Sequence, residues 1–109
     1  MRMDATDDLR ARLHALRGEI DTVDRKLLRL LSRRALLSLE VGRVKERMSE
    51  EGRPGSILNP RRERQVLDNL ASWNTGVLPR QHVETIWREI LSSSRALQRP
   101  DSPEKEPPA

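Results

Sequence analysis

The sequence predicts an all-α fold, one long N-terminal helix followed by two shorter ones, and three observations predict it. Apolar residues recur at Leu9, Leu13, Leu16, Ile20, Val23, Leu27 and Leu30, then at Leu37, Val41, Val44 and Met48. Their steps alternate between four and three, which holds a seam on one side of an α-helix. No Pro interrupts that stretch, and its only glycines are Gly18 and Gly42. Nowhere do apolar and polar residues alternate as a strand requires.

The first helix is expected to open near Asp7 or Asp8, either of which suits an N-cap, and to run to about Met48. About 40 residues at 1.5 Å each make a rod of about 60 Å. A chain of 109 residues should form a globule of only about 13 Å radius. A helix that long cannot fold back to cover its own seam. The seam therefore needs a second copy or another protein, and a homodimer is the simplest answer.

Gly52, Pro54 and Gly55 in the run EEGRPGS are expected to end this helix, and Ile57-Leu58 supplies an apolar anchor. Asn59 followed by Pro60 reads as the N-cap and first residue of the second helix. That helix carries Val66, Leu67 and Leu70 and ends around Trp73 to Gly76. The third begins near Leu78-Pro79 and shows Val83, Ile86, Trp87, Ile90, Leu91 and Leu97 at helical spacing. Trp73 and Trp87 are read as packing residues. The domain plan is a flexible N-terminus over 1–8, a helical domain over 9–98 and a disordered tail over 99–109, where RPDSPEKEPPA offers nothing to bury.

Composition narrows the chemistry. There is no Cys, so disulfides and thiolate metal sites are excluded, and the two histidines, His14 and His82, lie too far apart to suggest a zinc site. The net charge of +4 leans basic. However, acids are interspersed with bases along the helices, which describes a solvated surface better than a nucleic-acid arm. With no Phe or Tyr and only two Trp, base-stacking platforms are not expected. The start MRMDATDDLR has no apolar signal region and no run reaches membrane-spanning length. The protein is read as soluble and cytoplasmic, with no nucleic-acid or membrane partner.

One seam position breaks the pattern. Between Leu30 and Leu37 the slot for an aliphatic residue holds Arg34. A guanidinium stays charged and is costly to bury unpaired. Either Arg34 snorkels out of the seam or an anion meets it there. At 100° per residue Ser38, Val41 and Lys45 fall within about 40° of Arg34, and Gly42 lies beside this stripe. Arg17 points roughly 100° away and about 25 Å along the rod, so within one subunit it could not share a small ligand with Arg34. The partner's Arg17 could. Arg62 and Glu63 open the second helix, and Ser94 and Gln98 sit one turn apart on the third.

These polar residues occur within LRGEIDTVDRKLLRLLSRRALLSLEVGRVK, NPRRERQVL and EILSSSRALQ, a set of strings that resembles the all-helical chorismate mutases. The likeness extends to the stand-alone form and to the mutase domain of bifunctional chorismate mutase/prephenate dehydratase, and it covers about Leu9 to Gln98. It implies an intertwined helical homodimer with two identical sites, no cofactor, and rearrangement of chorismate to prephenate towards phenylalanine and tyrosine. It further implies that Arg34 and the partner's Arg17 clamp two carboxylates, with Ser94 adding a hydrogen bond. Lys45 and Gln98 would donate to the ether oxygen, Glu63 would accept the ring hydroxyl, and Arg62 would support the anionic end. Family members commonly carry Asp where this chain has Asn59, which contributes to substrate binding if only its backbone N–H is used.

The proposed chemistry suits these residues. An Arg-rich site with few competing carboxylates matches a small dianion. An intramolecular [3,3] shift needs no nucleophile, general base or metal. Other readings remain: an isochorismate pyruvate lyase or amino-deoxychorismate mutase on the same scaffold, a non-catalytic regulatory or dimerisation module, or an enzyme working with a separate shikimate-pathway partner. The short tail after Gln98 argues against a fused dehydratase in this chain.

Overall fold

The computed structural model describes residues 4–52 and 56–99. Three helices carry them, α1 over Ala5–Glu50, α2 over Pro60–Trp73 and α3 over Arg80–Gln98, with no strand among the described residues. The all-α class and the order of one long helix and two shorter ones are as the periodicity predicts.

The start of α1 differs from the expected Asp7 or Asp8. Asp4 takes the cap, its Oδ1 accepting from the Asp7 N–H at 2.8 Å. Asp7 and Asp8 instead occupy the first turn, where carboxylates complement the helix dipole. Residues 5–8 of the segment expected to be flexible are therefore helical, while residues 1–3 lie outside the described set. At its other end α1 passes Met48 by two residues. The Gly52 N–H donates to the Ser49 carbonyl at 3.0 Å, and Gly52 sits at φ +76°, a left-handed cap that glycine adopts without a Cβ penalty. Pro54, Gly55 and the tail beyond Arg99, all part of the expected domain plan, lie outside the described residues.

Asn59 caps α2 as expected, its Oδ1 accepting from the Arg62 N–H at 3.0 Å, with Pro60 as the first helical residue. The turn to α3 is organised by Asn74, a residue the sequence reading passed over. Its Oδ1 accepts from the Gly76 N–H at 2.9 Å and its Nδ2 donates to the Leu78 carbonyl at 3.0 Å. Gly76 takes φ +93° there.

The chain divides into two compact units, Met1–Arg34 and Ala35–Ala109. The first unit is the N-terminal stretch of α1. None of its residues from Ala5 to Arg33 is buried, and seam residues such as Leu9 and Ile20 stand 68% and 58% exposed. The second unit holds the end of α1 together with α2 and α3. Its core is small: Leu39, Val83 and Leu91 are buried, joined by Ser38, Gly42 and Ser94. Trp87 is half-buried. Trp73 is not the packing residue expected of it, being 71% exposed. It is the last residue of α2, and the chain turns at Asn74 directly behind it.

Candidate active site

In the second unit, three polar contacts join the expected site residues to partners far away in the chain. Ser38 on α1 and Ser94 on α3 are both buried, and their hydroxyl oxygens lie 2.6 Å apart. A bulkier side chain at either position would force the helices apart, so the small residues permit the close crossing, and the hydrogen bond satisfies two buried hydroxyls. Among the described residues no buried side-chain N or O lacks a hydrogen-bond partner.

One α1 turn on from the buried Gly42, the half-buried Lys45 donates through Nζ to Gln98 Oε1 at 2.7 Å and to the Ser56 carbonyl at 2.6 Å. Burial lowers the Lys45 pKa below its ordinary value of 10.5, because a desolvated ammonium is disfavoured relative to the neutral amine. Lys45 and Gln98 line a cleft of about 450 Å³ with Gly42, Ser49 and Ile57. Glu46 and Glu50 also line it. This cleft therefore carries two carboxylates as well as the Lys45 ammonium.

Glu63 on α2 meets α3. Both of its carboxylate oxygens accept from Arg95 Nη1 at 2.6 Å. Arg95 was missing from the sequence-derived set. A signal was present, since Arg95 lies four residues after buried Leu91 and three before Gln98, a charged residue on an apolar flank much like Arg34. Arg62, one residue before Glu63, is exposed and donates through Nη1 to Gln65 Oε1 at 2.7 Å. Asn59, Arg61, Arg62 and Gln65 border a smaller depression of about 190 Å³.

Arg17 and Arg34 belong to the first unit. Arg17 is exposed, and Arg34, the break in the seam, is half-buried. Among the described residues no three of His, Cys, Asp and Glu are grouped to hold a metal ion, and no helix is long and apolar enough to cross a membrane.

The chorismate mutase type II family matches residues 16–99. The chain is 42% identical over 88 residues to the bifunctional chorismate mutase/prephenate dehydratase of Pseudomonas aeruginosa, and 35% identical over 91 residues to that of Aquifex aeolicus. Those matches cover 81% and 80% of this chain but 24% of each relative, so the chain spans about a quarter of their length. Among solved structures, a chorismate mutase (form II) from Thermus thermophilus superposes with a TM-score of 0.72 at 36% identity, covering 84% of this chain and 98% of that one. Nearly the whole of that solved chain, and about a quarter of each longer enzyme, finds its counterpart here. The chain belongs to the chorismate mutase type II family.

Proposed function

We propose that this protein catalyses the rearrangement of chorismate to prephenate as a helical homodimer. The observation that carries the reading is the Lys45–Gln98 pair at the cleft. An ammonium and a carboxamide held together on two helices are what a breaking C–O bond needs, because both can donate to the oxygen as it gains charge.

The reaction is balanced within the substrate. The ether C–O bond breaks while a C–C bond forms between the enolpyruvyl methylene and the ring, and no proton, electron or group is exchanged with the protein. The protein therefore has two tasks. One is to hold the compact diaxial conformer in which the bonding termini meet. Arg34 and the partner's Arg17 grip the two carboxylates, Ser94 adds a hydrogen bond, Glu63 accepts the ring hydroxyl, and Arg62 and Asn59 support the same anionic end. The other is to stabilise the ether oxygen more strongly in the transition state than in the ground state, through Lys45 and Gln98.

The exposed seam supports the dimer. Apolar residues spaced along one face from Leu9 to Met48 stay open to solvent within one chain, and burying them at about 25 cal/mol per Å² favours association. The deciding experiment follows chorismate consumption with purified protein and identifies the product by mass and by acid conversion to phenylpyruvate. Prephenate formed at a rate lost in Arg34→Ala supports the mutase and its anion clamp. Release of pyruvate instead would identify lyase chemistry, and no turnover from a folded dimer would sink the proposal.

A further inference from the structure

We propose that Arg95 is a positioning residue for substrate recognition, holding the Glu63 carboxylate in place and cancelling its charge beside a dianionic substrate. The proposal rests on the mutase reading, in which Glu63 accepts the ring hydroxyl.

Three observations carry it. First, one guanidinium nitrogen of Arg95 sits 2.6 Å from both oxygens of Glu63, so both carboxylate oxygens are engaged at once. Second, both partners are largely withdrawn from solvent, with side chains 30% and 23% exposed. The pair is thus less screened than an ordinary surface bridge. Third, Arg95 directly follows Ser94 and precedes Gln98 by three residues on α3, so one helix carries the contact to α1, the contact to Lys45 and the hold on Glu63.

The physical need is plain. A lone carboxylate is a poor neighbour for a substrate with two negative charges, yet it is a strong acceptor for a hydroxyl. Arg95 resolves the conflict. It neutralises Glu63 and uses two of its roughly four lone-pair directions, which leaves acceptor capacity for a substrate hydroxyl. It also removes side-chain freedom from Glu63 before binding, so less ordering is required when substrate arrives. A competing role, in which Arg95 keeps Glu63 away from substrate, predicts the opposite sign on binding.

The test is steady-state kinetics of Arg95→Met, Glu63→Gln and the double variant, with helix content and oligomeric state checked in each. Arg95→Met is expected to raise KM about tenfold with kcat changed less than about threefold, the pattern of lost uniform binding. In the Glu63→Gln background the same substitution is expected to change KM less than about threefold, because no carboxylate is left to orient or neutralise. Arg95→Lys keeps the charge and is expected to recover most of the loss. It also serves as the test should Arg95→Met lose helix content. A lowered KM, equal effects in both backgrounds, or a folded Arg95→Lys as impaired as Arg95→Met would overturn the proposal. If the parent protein turns over no chorismate, the mutase reading fails. If the parent is active and Arg95→Met matches it, only the role of Arg95 fails.

Discussion

Lys45 Nζ lies 2.7 Å from Gln98 Oε1 and 2.6 Å from the carbonyl of Ser56, so the ammonium is fixed from two sides while burial lowers its pKa. Charge on Lys45 is what the proposed mechanism uses at the ether oxygen. Lys45→Ala is therefore expected to reduce kcat/KM by about a hundredfold or more, on the scale of removing one transition-state donor. Unchanged turnover in a folded variant would remove Lys45 from the mechanism.

The same shift sets an alkaline limb. Because the folded pKa lies below 10.5, activity should decline as pH rises through that lowered value, earlier than an ordinary lysine would cause. The stability effect has the opposite sense. Between the lowered pKa and 10.5 the unfolded chain binds more protons, so stability rises with pH across that window. The gain is complete above 10.5 and is lost as pH falls through the folded value. Gln98 is neutral, so no carboxyl-like limb is expected between about pH 5 and 8. A pH–rate profile compared between the parent and Lys45→Arg checks the activity limbs, since the alkaline limb should vanish in the arginine variant, and denaturant unfolding across the same pH range checks the stability.

Ser38 and Ser94 share a buried hydrogen bond of 2.6 Å but differ in their proposed tasks. Ser38→Ala leaves the Ser94 hydroxyl short of its partner and is expected to cost about 1 kcal/mol of stability. Ser94→Ala should cost a similar amount and also raise KM, because it removes a donor to substrate. Denaturant unfolding beside kinetics separates the two, and equal kinetic losses would place both hydroxyls in the same role.

If the partner's Arg17 completes each site, two inactive proteins can rescue one another. Arg17→Ala and Arg34→Ala homodimers should each be strongly impaired. Mixed one to one and allowed to exchange, about half the dimers are hybrids, each with one intact site, so about a quarter of parental sites return. Absence of rescue, with exchange shown by mass after isotope labelling of one variant, would mean that Arg17 does not complete the partner's site.

Asn59 offers a check on the departure from the usual Asp. Its Oδ1 caps α2 through the Arg62 N–H. Asn59→Asp retains that bond and adds a favourable charge at the helix start, so stability and kcat/KM should stay within a few-fold of the parent. Asn59→Ala should lose about 1 kcal/mol. A large change in kcat/KM for Asn59→Asp would show that charge at this position selects the substrate.

Local order determined what the sequence could specify by itself. The three helices, the Asn59 cap, the Gly52 stop and the break at Arg34 all follow from propensities, periodicity and side-chain-to-backbone bonds between near neighbours in the chain. Small errors arose where two local solutions compete, as at Asp4 against Asp7 and Asp8. Tertiary structure alone decided which polar groups meet. Ser38 and Ser94 are 56 residues apart, Lys45 and Gln98 are 53, and Glu63 and Arg95 are 32. Those meetings depend on how α3 lies against the end of α1 and against α2, a register that each helix's own pattern leaves undetermined. The same cause left Arg95 unnoticed and Trp73 misplaced. A helical period states which side of a helix is apolar, while packing decides what that side touches.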